Sequence, residues 1–152
     1  ELENFDEKFF REVESLLVDK IYRVRKEIGV GITKIYEEIS PEKFNAIFWN
    51  RIVDLTNSKN YLHRSSALFI LKVFKIDSQS LCKVMDKDQV LTLLPVLDKM
   101  RKDKVPNIRM HSAICYKRIA ERFKDVATTV ELALEELRKD SETDVVNAMS
   151  FD

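Results

Sequence analysis

A short turn pattern recurs along this chain of 152 residues and restricts the folds that it can adopt. Each copy begins with a polar residue that can cap a helix, and three of the four copies have an arginine six positions later. The copies are DKIYRVR from Asp19, SKNYLHR from Ser58, DKVPNIR from Asp103 and DSETDVV from Asp140. Their seventh positions are separated by 39, 45 and 37 residues. A period of this length indicates a repeat protein, in which similar units stack along the chain.

Apolar residues on both sides of each turn follow the spacing of amphipathic helices. We predict helices over residues 5–17, 21–39, 40–56, 61–75, 87–101, 107–123, 125–139 and 143–151. The chain contains two glycines and three prolines, which leaves little material for β-hairpin turns. Pairs of helices that repeat after about 40 residues are typical of HEAT and armadillo arrays. We therefore predict an all-α fold, an α-α superhelix (HEAT-repeat solenoid) of about four helical hairpins.

The spacing of the hairpins predicts a single array without further domains. Its repeats cover about residues 1–39, 40–76, 87–123 and 124–152, and residues 77–86 form a polar connector between the second and third repeats. In such an array each hairpin packs mainly on its neighbours. Function is therefore expected on the surface rather than in a deep pocket.

The first three helices contain local signals for packing and capping. The apolar stripe of the first helix consists of Phe5, Phe9, Val13 and Leu16, and that of the third helix consists of Phe44, Phe48, Ile52 and Leu55. Gly29 and Gly31 lie inside the second helix, where each costs about 1 kcal/mol relative to Ala. The apolar stripe continues through them, so we expect a neighbouring helix to pack closely there. Ser40 and Pro41 match the N-cap and the first position of the third helix.

The charged residues of the turns have a structural interpretation. An Asp near a helix N-terminus can accept hydrogen bonds from free backbone N–H groups. An Arg in one turn can pair with the Asp of the adjacent turn, because the planar guanidinium matches a carboxylate. We therefore expect Arg25 and Arg109 to be mainly structural residues.

The charge balance and the hydropathy argue against two classes of partner. The 26 basic and 26 acidic residues cancel, whereas nucleic-acid-binding proteins usually have a basic excess. No apolar run approaches the roughly 20 residues of a membrane span, and no signal peptide is visible. The chain begins at Glu1 without an initiator Met, which fits a processed chain or an excised fragment. We expect neither nucleic acid nor a membrane as a partner.

Residues that could support catalysis or bind a metal are few. His63 and His111 are the only histidines, and neither has the spacing of a metal site. Cys82 and Cys115 share no metal-ligand or redox spacing, which fits a reducing compartment such as the cytosol or the nucleus. No nucleophile motif or Gly-rich phosphate motif occurs. We expect a protein that is not an enzyme and has no cofactor.

Three stretches of the chain resemble a known family. LLPVLD, followed by Asp103 and then NIR, has the pattern of a HEAT repeat. FDEKFFREVESLLVDKIYRVRKE and NYLHRSSALFILKV are similar to the carboxy-terminal HEAT repeats of the scaffold (A) subunit of protein phosphatase 2A. The resemblance covers essentially the whole chain in the same repeat order, and the step of 39 residues from Tyr22 to Tyr61 needs no gap. Residues 77–86 resemble an insertion relative to that family.

The resemblance implies a non-catalytic regulatory scaffold of a Ser/Thr phosphatase. In that family the last repeats bind the phosphatase catalytic subunit through the turn inside each hairpin and the first residues of the second helix. The regulatory B-type subunits bind earlier repeats, which this sequence does not include. The matching positions, which we expect to contact the catalytic subunit, are Tyr22, Arg23, Tyr61, Arg64, Val105 and Asn107. Tyr and Arg are also the residue types that dominate binding energy at interfaces.

The later turns depart from this pattern, and other functions stay open. Pro106 replaces the tyrosine, and Val146 replaces the basic residue of the fourth turn, where only Asp144 and its neighbours correspond. Tyr61 could also pack on its own hairpin. A different HEAT-repeat adaptor, in transport or microtubule binding, would share the aliphatic–Arg pair but not the NYLHR stretch. A helical-repeat DNA glycosylase would need a strongly basic concave face, which zero net charge opposes.

Overall fold

The computed structural model describes residues 2–73 and 87–150, and the regular structure in these two segments is helical. The helices, labelled here in chain order, are α1 (Leu2–Leu17), α2 (Tyr22–Glu38), α3 (Pro41–Phe44, the π-helical Asn45–Trp49 and Asn50–Thr56, without a break), α4 (Tyr61–Val73), α5 (Lys87–Met100), α6 (Pro106–Arg122), α7 (Lys124–Leu137) and α8 (Thr143–Ser150). The all-α prediction is confirmed for these residues. The predicted connector over residues 77–86 lies outside them. None of the described helices is long and apolar enough to cross a bilayer.

The chain divides into two compact units, Glu1–Val73 and Phe74–Asp152. In the first unit α1 packs against α2, α3 packs against α4, and the second helices α2 and α4 pack against each other. In the second unit α5 packs against α6, α7 packs against α8, and α6 contacts both α7 and α8. Each unit is therefore a pair of helical hairpins joined through their second helices, an arrangement compatible with an α-α superhelix.

An aromatic cluster forms the core of the first unit. The rings of Phe44 and Phe48 stack with centroids 5.1 Å apart, and Phe10 meets Phe48 edge-on at 5.7 Å. Phe44 and Phe48 both lie on α3, and the π-helical segment that begins after Phe44 and contains Phe48 widens the helix locally. The predicted apolar stripe of α3 is confirmed, since all its members are buried: Phe44, Phe48, Ile52 and Leu55. Ser40 also caps α3 as predicted, because its Oγ accepts the Lys43 N–H at 3.2 Å.

The buried face of α1 differs from the predicted stripe. Its buried residues are Phe10, Val13 and Leu17. Leu16 is 40% exposed, so its assignment to the stripe was wrong, whereas Phe9 is 37% exposed but its ring still meets Phe48 edge-on at 6.4 Å. The predicted and the observed sets share Val13, and each has helical spacing, because α1 has apolar residues at both 9 and 10 and at both 16 and 17. Periodicity therefore could not choose between them. The side chain of Phe5 lies outside the described residues.

The two glycines of α2 lie in different surroundings. A Cβ atom added to Gly29 would lie 2.9 Å from two ring carbons of Phe69 on α4. The prediction of close packing is confirmed at this position, where the missing side chain lets α2 and α4 approach. A Cβ atom at Gly31 would meet nothing within 4 Å, so the same prediction was wrong for Gly31. Both glycines have ordinary helical φ values, so neither is required by the backbone.

The second unit contains polar links between its helices in addition to its apolar core. Lys87 at the start of α5 pairs with Asp125 at the start of α7, and Arg101 after α5 pairs with Glu136 near the end of α7. In the buried contact between α5 and α6, the Ser112 hydroxyl donates to the Leu97 carbonyl at 3.1 Å. Ion pairs thus link the corresponding ends of α5 and α7.

Replacing the two glycines separately should give opposite effects on stability. Gly31→Ala should raise the free energy of unfolding by about 0.5–1 kcal/mol, because Ala favours the helix and the added methyl group has room. Gly29→Ala should lower it by about 1 kcal/mol, because overpacking against the Phe69 ring outweighs the same gain in helix propensity. Urea unfolding followed by circular dichroism measures both variants. Equal stabilisation by the two substitutions would contradict the close packing of α2 on α4.

Candidate functional site

Each hairpin turn opens with the same backbone cap. A side-chain oxygen of the first turn residue accepts the backbone N–H two residues later, at distances of 2.7 to 3.2 Å. The donor and acceptor pairs are Ile21 to Asp19, Asn60 to Ser58, Val105 to Asp103 and Glu142 to Asp140. The predicted role of the turn aspartates as acceptors for free N–H groups is confirmed. Serine provides the same acceptor in the second turn without a charge.

An arginine closes three of the four turns from the other side. Arg25 donates through Nη1 to the carbonyls of Asp19 and Lys20 at 2.6 and 3.1 Å. Arg64 donates in the same way to Ser58 and Lys59 at 2.9 and 3.0 Å. Arg109 donates to Asp103 at 2.9 Å. The arginine six residues after the turn start is therefore a structural part of the turn, since it satisfies carbonyls that no helix bond reaches.

The third and fourth turns are also joined by a two-point ion pair. The Arg109 guanidinium donates through Nε and Nη2 to the two carboxylate oxygens of Asp140, at 2.7 and 2.8 Å. The two side chains are only 14% and 11% exposed. The predicted pairing of an arginine with the aspartate of the adjacent turn is confirmed here. Hydrogen bonding by Arg109 holds the pKa of Asp140 below its usual value, against the opposing effect of burial.

The low pKa of Asp140 predicts a pH-dependent contribution to stability. A carboxyl group with a depressed pKa in the folded state stabilises the fold above its unfolded pKa of about 4, and this contribution is lost as the pH falls further. Asp140→Asn should therefore be less stable than the unchanged protein by about 2 kcal/mol at pH 7. The difference should shrink towards pH 2–3, as measured by thermal unfolding across the pH range.

The exposed Asp144 in the same turn provides the matched control for this measurement. Asp144→Asn should change the free energy of unfolding by less than about 0.5 kcal/mol at pH 7. A constant difference between Asp140→Asn and the unchanged protein at every pH would show that the ion pair with Arg109 is not its cause.

The predicted contact residues of the first unit lie at one edge. Tyr22 and Tyr61 are the first residues of α2 and α4, and they are 62% and 51% exposed. Arg23 is exposed beside Tyr22. The guanidinium carbon of Arg25 lies 5.7 Å from the centroid of the Tyr22 ring. This cation–π contact supports the ring from the side of the turn.

The first two turns lie at the same end of their unit. The Ser66 hydroxyl, early in α4, donates to the carbonyl of Leu17 at the end of α1. Gly29 packs on Phe69, and Gly29 lies about as far from the start of α2 as Phe69 lies from the start of α4. The two helices therefore run side by side in register, and packed helices are about 8–10 Å apart. Tyr22 and Tyr61 are consequently neighbours. We call the exposed residues Lys20, Ile21, Tyr22, Arg23, Lys59, Asn60 and Tyr61 the tyrosine edge.

One predicted contact residue, Arg64, is not available at this surface. Its side chain donates to the carbonyls of Ser58 and Lys59, and the residue is only 7% exposed. The prediction that Arg64 contacts a partner is therefore corrected: it holds the turn that presents Tyr61. Arg64 occupies the same repeat position as Arg25 and Arg109, so the turn pattern itself contained the signal for this role. Ile21, which was not predicted as a site residue, is 62% exposed on the same edge.

The second unit presents a less aromatic set of turn residues. Asn107 is exposed and Val105 is half-buried, where it precedes α6 as its N-cap residue. In the fourth turn Val146 is half-buried and has no side-chain donor for the turn carbonyls. Among the described residues no group of His, Cys, Asp and Glu side chains is arranged to hold a metal ion. Comparison with protein families and with curated proteins finds no match for this chain.

Arg64 and Tyr61 should differ sharply when each is replaced. Arg64→Met keeps the aliphatic stem but removes the donors to two turn carbonyls, so it should lower the free energy of unfolding by about 1–3 kcal/mol. Tyr61→Ala removes a half-exposed ring and should cost less than about 1 kcal/mol. Chemical denaturation distinguishes the two. If Arg64→Met left stability unchanged, the structural role of this arginine would be refuted.

Proposed function

We propose that this chain is a non-catalytic scaffold segment, a short HEAT-repeat solenoid, that binds the catalytic subunit of a Ser/Thr protein phosphatase through its hairpin turns. The observation that supports a binding role best is the pair of exposed tyrosines, Tyr22 and Tyr61, at neighbouring helix starts. Large aromatic side chains that remain exposed on a rigid frame are typical of protein interfaces. The proposed compartment is the cytoplasm, the nucleus or both.

The rigidity of the turns favours binding because little conformational freedom remains to be lost. Each turn backbone is held by a side-chain cap on one side and, in the first unit, by an arginine on the other. A contact surface that is already ordered pays less entropy on association. The tyrosines therefore project from fixed backbone positions at the starts of two packed helices, where both can contact a single partner surface.

The identity of the partner follows from the resemblance of the turns to a phosphatase scaffold. IYRVR and NYLHR repeat the same tyrosine position 39 residues apart, and the structure exposes both tyrosines. In the proposed complex Tyr22, Arg23 and Tyr61 contact the catalytic subunit, with Asn107 and Val105 as further contacts from the second unit. Regulatory B-type subunits would bind repeats upstream of this segment. This chain alone should therefore bind the catalytic subunit without assembling a complete holoenzyme.

Removal of both tyrosines should abolish most of the binding. Tyr22→Ala/Tyr61→Ala should weaken binding of a purified phosphatase catalytic subunit by about 2–4 kcal/mol, the range of interface hot spots. Isothermal titration calorimetry measures the change directly. Circular dichroism and thermal unfolding of the same sample establish that the variant is folded.

Leu132→Ala provides the matched control for the loss of an exposed apolar side chain. Leu132 is 72% exposed on α7, away from the hairpin turns. This variant should bind within about twofold of the unchanged chain, because rim or non-interface positions contribute little. Equal binding by the double tyrosine variant and the Leu132 variant would reject the tyrosine edge as the contact surface.

A further inference from the structure

The fully exposed charged residues of the first two turns are all basic. Lys20, Arg23 and Lys59 are exposed on the tyrosine edge. The one carboxylate in these two turns belongs to Asp19, which is half-buried and accepts the Ile21 N–H at 2.7 Å. In the second turn the corresponding residue is Ser58, which has no charge. The first two turns thus have three exposed cations and one half-buried carboxylate, although the whole chain has no net charge.

The backbone adds to the positive potential at the same edge. Both α2 and α4 begin at the tyrosine edge, and neither has an acidic residue in its first turn. A helix N-terminus has the positive end of the helix dipole, which acidic residues in the first turn usually offset. Two helix starts without such residues, together with Lys20, Arg23 and Lys59, favour an anionic partner surface.

The fourth turn has exposed charges of both signs, since Arg138 and Lys139 are exposed directly before Asp140. Glu142 and Asp144 are exposed there, and Asp144 lies in the first turn of α8. The arginine position of that turn is occupied by Val146. The fourth turn therefore lacks the uniformly basic charge of the tyrosine edge. The tyrosine edge is thus distinguished by its charge as well as by its aromatic residues.

We propose that the tyrosine edge binds a carboxylate-rich surface of a protein partner, with the tyrosines packed at its centre and the three cations paired around them. This inference rests on the proposed function and specifies the chemistry of the partner surface. Cations around an aromatic centre are the arrangement of an interface rim, where charges steer association and select partners. A nucleic-acid backbone is usually bound by more cations than these three, and the chain has no net positive charge. We therefore favour protein carboxylates over phosphates as the partner groups.

The test compares two triple charge reversals that change the net charge equally. Lys20→Glu/Arg23→Glu/Lys59→Glu alters the tyrosine edge. Lys8→Glu/Lys34→Glu/Lys43→Glu alters exposed lysines of the same unit outside the first two turns. Affinity for the purified phosphatase catalytic subunit is measured by calorimetry from about 0.05 to about 0.5 M NaCl, where screening becomes strong. Circular dichroism checks that both variants are folded.

The edge variant should bind roughly tenfold to a hundredfold more weakly, and the control variant should stay within about threefold. Affinity of the unchanged chain should fall as salt rises. If binding depends on Tyr22 and Tyr61 but responds to neither salt nor the edge charges, the inference is overturned and the proposed function stands. Equal losses in both triple variants would also overturn it, because they would show an effect of net charge alone.

Two further probes separate this inference from the choice of partner. If the catalytic subunit does not bind at all, the proposed function fails, and a poly-glutamate peptide then tests the edge by itself. Peptide binding that is lost in the edge variant and kept in the control would support the inference. No peptide binding would overturn it. Tighter binding to duplex DNA or to phosphatidylserine vesicles than to the peptide, lost in the edge variant, would overturn it in favour of a phosphate ligand.

Discussion

The hydrogen bond from an arginine to the carbonyls of its own turn is the interaction on which the first three hairpin turns depend. A helical hairpin leaves unsatisfied carbonyls at the end of one helix and unsatisfied N–H groups at the start of the next. In this chain a side-chain cap satisfies the N–H side and an arginine satisfies the carbonyl side within seven residues. The turn is thereby fixed before any partner is present, and the residues beside it project in defined directions.

The helices and their cores could be predicted from the sequence because apolar spacing and capping residues act locally. The stripe of Phe44, Phe48, Ile52 and Leu55 and the Ser40 cap needed no knowledge of the rest of the fold. The rotation of α1 about its own axis, which decides the buried face, could not be predicted. Apolar residues at both Phe9 and Phe10 satisfy the same period, and only the position of α3 decides which of them is buried.

The candidate site was predictable in part, for a similar reason. Tyr22 and Tyr61 were predicted from the resemblance of their turns to the family, and the structure places both, exposed, at the first positions of helices. Arg64 was assigned to the surface because the NYLHR stretch matches a contact position of the resembling family, whereas its place in the repeat beside Arg25 and Arg109 indicated the turn role that the structure shows. The difference between Gly29 and Gly31 depends on the position of Phe69, 40 and 38 residues further along the chain. Helix spacing cannot provide such long-range information.

At the start of the second turn, serine accepts the backbone hydrogen bond that aspartate accepts in the other turns, but it has no charge. The Ser58 hydroxyl accepts the Asn60 N–H just as the Asp103 carboxylate accepts the Val105 N–H, so the two turns share one cap geometry. A carboxylate at position 58 would also cancel one cation and offer Arg25 an ionic partner, as Asp140 does for Arg109. Backbone geometry and surface charge can therefore vary independently at this one position. Repeated turns of identical shape can thus present different electrostatic surfaces along a single chain.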